Sequence, residues 1–247
     1  MEILGIDVGG SGIKGAIVDI EKGAFVGERF RIETPKPATV DVIAETIGEI
    51  ADHFNYRGII GCGFPSVVQQ GVVHTAANIH KSCIGVNVNE FFSEKLGRKV
   101  VVFNDADAAG AAELKYGCVK DFQGLAVFLT IGTGIGSAVI NNGVLLPNSE
   151  LGHMYLSNGK KAEHFASDAV RKKEDLSRKD WGSRFNVVLE HVERLLYPDL
   201  IVLGGGSSKK FHKFEDSIII STPVKPAELL NSAGIIGGAL LASEFVM

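Results

Sequence analysis

Asp105 stands at the end of an apolar run, Val100 to Phe103, in the segment Asn104-Asp105-Ala106-Asp107, and the alanine-rich stretch Ala106 to Tyr116 then reads as a helix stopped by Gly117. A buried strand that turns polar where a helix begins is where α/β proteins place ligand sites. Either acid is able to serve as the helix cap, and two acids permit two roles. Asp105 as general base accepts a proton from an attacking hydroxyl, an effect of roughly 10²- to 10⁴-fold, while Asp107 serves the helix start.

A second resource is the pair of glycine-rich turns Gly9-Gly10-Ser11-Gly12 and Gly132-Thr133-Gly134. Glycine lets backbone N–H groups converge on an anion and lets a phosphate come close. One such turn alone is no more than a hairpin tip. Two that recur at a constant offset point to a duplicated chain: Gly10, Gly12, Ile13 and Ala16 fall on Gly132, Gly134, Ile135 and Ala138. Ser11 and Thr133 add hydroxyl donors, and Lys14 adds a positive charge. The halves differ where the first has Asp7 and the second Leu129. An acid beside a phosphate loop calls for a cation between them, so Asp7 is a candidate for holding Mg²⁺, through water, with a turn-stabilising Asp as the other reading. Glu150-Leu151-Gly152-His153, with Glu163 downstream, supplies carboxylates and an imidazole suited to sugar hydroxyls. A zinc site is the rival there, but no nearby cysteines complete a tetrahedral set.

The elements that must hold these residues follow from periodicity. Ile3 to Val8 and Ile13 to Ile20 read as a hairpin, as does Leu125 to Ile140 around the second turn. Val40 to Phe54 carries Ile43, Ile47, Ile50, Ala51 and Phe54 at helical spacing, with Thr39 or Asp41 as N-cap. Gly58 to Phe64 and Leu200 to Leu203 read as buried strands, the latter running into Gly204-Gly205-Gly206 and a helix start. Trp181 to Leu196 is an amphipathic helix, and Gly234 to Val246 is an apolar one that crosses back to the first half. These elements predict an α/β chain of two domains, a small one at 1–104 and a larger one at 105–233, facing across a cleft.

Composition narrows the class. Glycine supplies 30 of the 247 residues, against roughly 7% in average usage. A net charge of -4 disfavours broad binding to nucleic acid or anionic membrane. Three widely spaced cysteines, Cys62, Cys83 and Cys118, argue against a disulfide framework. The opening MEILGIDVGG lacks a leader pattern and no long apolar run follows, so the expected compartment is the cytoplasm.

The duplicated glycine turns, NDADAAGAAE at Asn104 to Glu113 and LPNSELGHM at Leu146 to Met154 together resemble the ROK sugar kinases of the actin-like ATPase (ribonuclease H-like) superfamily. Within that family the likeness is to polyphosphate glucokinases, through FPSVVQQGVVHTAAN at Phe64 to Asn78, TIGTGIGSA at Thr130 to Ala138 and TPVKPAELLNSAGIIGGALLA at Thr222 to Ala242. The resemblance implies a duplicated actin-like fold and transfer of phosphate to the 6-hydroxyl of glucose from inorganic polyphosphate, or ATP, with Mg²⁺. It implies Asp105 as base and Asn78, Asn104, Glu150, His153 and Glu163 around glucose. Phosphate contacts are implied at Gly9, Gly10, Ser11, Gly12, Gly132, Thr133 and Gly134, and Gly204 and Gly205 match the turn where relatives hold adenosine. It also implies a homodimer and, because Met154 to Lys161 replaces the cysteine-rich motif of many relatives, no structural zinc. Two positions depart from the pattern, His80 where an Asp is expected and Cys83 where a Trp is expected.

Rival readings are an ATP-dependent hexokinase of the same family, a sugar-responsive repressor and a silent sugar-binding module. A repressor needs a DNA-binding domain ahead of the first glycine turn, and that turn begins at Gly9. Lys14, Lys209 and Lys210 are candidates for a polyphosphate track.

Overall fold

Ile3, Leu4, Ile6 and Val8 are all buried in β1 (Glu2–Gly9), a central strand of the first sheet in this computed structural model, which describes residues 1–246. β2 (Gly12–Asp19) returns antiparallel to β1, and β3 (Ala24–Phe25) and β4 (Phe30–Ile32) both pair with β2. α1 (Val40–His53) buries Ile43, Ile47, Ile50 and Ala51 as its spacing predicts. Thr39 is its N-cap by backbone geometry, without a side-chain cap bond. β5 (Ile60–Phe64) then lies parallel to β1. A small hairpin of β6 (Val68–Gln69) and β7 (Val72–Val73) precedes α2 (Val88–Leu96). β8 (Val100–Asn104) lies parallel to β5 and leads directly into α3 (Asp105–Tyr116).

The second half repeats this plan. β9 (Leu125–Ile131), β10 (Ile135–Asn141) and β11 (Val144–Leu146) form an antiparallel meander. After α4 (Ala162–Ala166), α5 (Asp168–Lys173) and α6 (Arg178–Leu196), β12 (Leu200–Gly204) and β13 (Val224–Pro226) add parallel strands beside β9. The order β11-β10-β9-β12-β13 matches β3-β2-β1-β5-β8, with the same strand senses. The repeat legible in the glycine turns is therefore a repeat of topology. α6 buries Trp181, Phe185, Val188, Leu189 and Val192 against Val127, Leu129, Ile201 and Leu203 of that sheet. The Trp181 indole N–H donates to the Ala166 carbonyl at 2.9 Å.

By packing, the first of the described units comprises residues 1–116 and 232–246, and the second 117–231. α3 belongs with the first, so the division falls after Tyr116 rather than at Asn104, and the first unit is the larger. α7 (Ala233–Ser243) follows the second half in sequence but is part of the first unit. It is apolar all round because α3, β1 and β5 surround it. Glycines make that approach possible: a Cβ at Gly61 would collide with the Gly238 carbonyl, and one at Gly237 with the Ala108 carbonyl. The helix expected after Gly206 is instead a 3-10 stretch, Ser208–Lys213, kinked at Lys210. Its backbone departs from helical geometry there, so no α-helical ladder forms. Among the described residues no helix is long and apolar enough to cross a membrane.

Candidate active site

In the first unit β8 delivers Asp105, half-buried, as the first residue of α3. The cap of that helix is neither acid. The Asn104 side-chain oxygen accepts from the N–H groups of Ala106 at 2.9 Å and Asp107 at 3.0 Å, and its amide donates to the Ser66 carbonyl at 3.1 Å. An Asx oxygen just ahead of a helix is well placed to take both bonds, so Asn104 and not either acid is the cap, while Asp107 lies in the first turn of α3. Asn104 itself is 5% exposed, so it anchors the Asp105 turn to the segment after β5.

The first glycine turn closes with Gly9 opposite Gly12, leaving Gly10 and Ser11 exposed at the tip. Asn78, also exposed, lies beside it, its Cβ 3.7 Å from where a side chain on Gly10 would begin. The segment after Asn78 is tied to Ala38 at two points, by the His80 N–H at 3.0 Å and the Cys83 thiol at 3.9 Å. His80 Nδ1 accepts from the Ser82 N–H at 3.2 Å, so this imidazole does what an Asp cap would do there. Cys83 is fully buried in the core, and burial pushes its thiol pKa up.

Asp7 and Lys14 are register partners across β1 and β2, and their side chains form an ion pair of 3.2 Å. Arg31 is the next partner of Lys14 across β4. Its guanidinium donates to the Ser11 carbonyl, and its Cζ is 2.8 Å from where a Cβ on Gly12 would sit. Glycine at position 12 is therefore what admits a second cation to the turn. The reading from sequence missed Arg31. Its only trace there is the Phe30-Arg31-Ile32 alternation of an edge strand.

In the second unit the turn closes with Ile131 opposite Ile135, one residue wider than its counterpart, and the Gly132 N–H donates to the Gly134 carbonyl at 3.0 Å. The Ser137 hydroxyl of β10 donates to the Ser149 carbonyl and accepts from the Leu151 N–H, both at 2.8 Å, which pins the strand to the segment bearing Glu150 and His153. Gly152 lies so close to β10 that a Cβ would collide with the Ile135 carbonyl. His153 is held between two carboxylates, Nδ1 at 3.8 Å from Glu150 and Nε2 at 3.4 Å from Glu163. Glu163, from α4, also reaches the turn, its Oε2 2.5 Å from where a Cβ on Gly134 would sit. The structure thus joins Glu150, His153 and Glu163 to the second glycine turn in one arrangement, whereas Asn78 and Asn104 belong to the first unit.

The third glycine turn abuts the second. Gly204 pairs with Thr130 within the sheet and leaves room for the Phe128 ring, so it serves packing as well as the turn. Gly205, at φ +77°, lies against the Ile131 backbone, and Gly206 is exposed. Thr133 is exposed at the tip of its own turn, and Lys209 and Lys210 are exposed just past Ser208.

A family model described as the ROK family matches residues 3–171. The chain belongs to the ROK family. The polyphosphate glucokinase of Mycobacterium tuberculosis is 48% identical to this ROK protein, over 96% of this chain and 89% of the relative. The polyphosphate glucokinase of Mycobacterium leprae is 45% identical, over 98% of this chain and 75% of the relative. The crystal structure of an inorganic polyphosphate/ATP-glucomannokinase from an Arthrobacter strain superposes with a TM-score of 0.96 at 41% identity, over 99% of both chains. The ROK fold of these relatives, the actin-like ATPase fold of two domains, is the duplicated topology described above.

Proposed function

We propose that this ROK protein phosphorylates glucose at its 6-hydroxyl with inorganic polyphosphate as donor. The observation that carries the reading is the Glu150–His153–Glu163 group seated against the second glycine turn, so that hydrogen-bonding groups for a polyol and N–H donors for a phosphate belong to one arrangement. The polyphosphate glucokinases at 45% and 48% identity support the choice of sugar and donor.

Asp105 takes the proton of the 6-hydroxyl as that oxygen attacks the terminal phosphorus. The new O–P bond forms as the bridging P–O bond breaks, and the electron pair leaves with a chain one phosphate shorter. Backbone N–H groups of the glycine turns, with Ser11, Thr133, Lys14 and Arg31, hold the donor and spread the charge on its moving group. Asn78 and the Glu150–His153–Glu163 group orient the sugar.

Mg²⁺ fits this chemistry as a cation carried by the donor. Among the described residues no group of three His, Cys, Asp or Glu side chains is arranged to hold a metal, and Asp7 is engaged with Lys14. Such a cation would take most of its ligands from phosphate and water, with Asp7 as the protein carboxylate, and would neutralise charge on the phosphates. Homodimerisation, implied by the resemblance, belongs to the same reading.

The test is glucose phosphorylation with polyphosphate and with ATP at matched phosphate concentration. Higher kcat/KM with polyphosphate is expected, and a clear ATP preference would make the protein an ATP-dependent hexokinase. A variant probes the carrying observation. In Gly134→Ala the new methyl displaces the Glu163 carboxylate, the movable end of a side chain. The KM for glucose should rise about tenfold, near the worth of one charge-assisted hydrogen bond. The urea midpoint should stay close to that of the parent. An unchanged glucose KM would detach Glu163 from sugar binding.

A further inference from the structure

Asp168, in the first turn of α5, meets three cations. Arg171 Nε lies 2.8 Å from its Oδ1, Lys172 Nζ 3.0 Å from Oδ2 and Arg178 Nη1 3.2 Å from Oδ1. Burial pushes this carboxyl up, but the hydrogen bonds from Arg171 and Lys172 and the nearby charges outweigh it and hold the pKa at about 2. One carboxylate cannot neutralise three cations, so the cluster keeps a surplus of positive charge. A purely structural ion pair needs one cation, and unbalanced like charges repel.

The cluster is built onto both glycine turns of the second unit. The Ala169 N–H, next to Asp168, donates to the Gly132 carbonyl at 3.3 Å. Arg178 also donates to the Ser207 hydroxyl at 3.2 Å, at the end of the Gly204-Gly205-Gly206 turn. Gly205 lies against the backbone of Ile131, the residue before Gly132. Hydrogen bonds and backbone contacts therefore join the two glycine turns and the cations around Asp168 into one arrangement. Lys172 is 69% exposed, so its charge is open to a ligand.

We propose that the cations around Asp168 bind the phosphates of the donor chain that lie beyond the one transferred, and so make polyphosphate a better donor than a nucleotide. The inference rests on the sugar-kinase reading above and names the residues that engage its donor. Every phosphate of a polyphosphate carries charge, so a longer chain keeps meeting cations after its terminal unit is held. A nucleoside triphosphate runs out of phosphates at its nucleoside and gains less from the same cluster. Arg is suited to this role because its planar fork offers several N–H donors, some of which remain after Asp168 and Ser207 are engaged.

The chain carries a single tryptophan, Trp181, and the Arg178 guanidinium lies 5.6 Å from the centre of its ring. Emission from Trp181 therefore reports on an anion that draws Arg178 toward it, without any turnover. Titration of the wild-type protein with long-chain polyphosphate should change that emission saturably, and Arg178→Gln should abolish the change. In kinetics, Arg178→Gln should raise the KM for polyphosphate about tenfold while moving the KM for ATP less, and Arg178→Lys should recover part of the loss. The exposed Lys172→Glu should raise the polyphosphate KM in the same sense, whereas Lys22→Glu, the same charge change in the first unit, should not. If Arg178→Gln fails to fold, Lys172→Glu and the wild-type titration decide. Equal effects on both donors, or an unchanged polyphosphate KM in Lys172→Glu, would overturn the inference. Absence of polyphosphate turnover in the wild type would sink the donor reading instead, and saturable Trp181 emission would still uphold the anion site.

Discussion

Asp105→Asn should lower kcat for glucose phosphorylation by roughly 10²- to 10⁴-fold, the usual worth of a positioned general base, and should change the glucose KM by no more than a few-fold. The structure explains why the fold should survive. The first turn of α3 is capped by Asn104, whose side-chain oxygen takes the N–H groups of Ala106 and Asp107, so replacing Asp105 leaves that cap in place. Asparagine matches aspartate in size but does not accept a proton at neutral pH. Steady-state kinetics together with urea unfolding separates the two quantities. Turnover within tenfold of the parent would remove Asp105 from the chemistry. Loss of both turnover and stability would make its role structural.

Gly237→Ala should be the most damaging single methyl in the first unit. The new Cβ would collide with the Ala108 carbonyl of α3, a backbone atom that cannot swing aside as a side-chain tip can. α7 is closed in by α3, β1 and β5, so relief requires the whole helix to move. Overpacking of this kind costs roughly 1–3 kcal/mol and occasionally more, and the rigidity of the contact places this case at the upper end. At roughly 2–4 °C per kcal/mol for a chain of this size, Tm should fall by about 6–12 °C. Thermal and urea unfolding measure it. Gly206→Ala is the matched control, because nothing lies within 4 Å of a Cβ there. A parental Tm for Gly237→Ala would mean that α7 is not packed as described.

Much of the molecule was legible because it is local. The two hairpins, α1, α6 and the strand that ends at Asn104 follow from periodicity, and the glycine repeat fell on a true repeat of topology. Boundaries drifted where chain-distant packing sets them. α3 could be read as a helix, but not that it packs with α7 and β5 in the first unit. The stretch after Gly206 carries helix-compatible residues, yet it bends at Lys210 into a 3-10 form. Spacing put Glu150 and His153 together, since they are three residues apart, but only the return of α4 brings Glu163 to His153 and to Gly134.

For Asp105 the sequence by itself determined the position, at a strand end where a helix begins, and the resemblance supplied the role. It offered only the two acids, Asp105 and Asp107, as caps of that helix, because both have side chains able to take an N–H group there. Tertiary structure decided for Asn104, whose amide is also tied to the Ser66 carbonyl. It alone placed Arg31 at Gly12 and Arg178 between Asp168 and Ser207. The physical reason is the same in each case. A turn or an amphipathic stripe is written in consecutive residues, whereas a cation's neighbours depend on strand register and on how elements far apart in the chain come to pack.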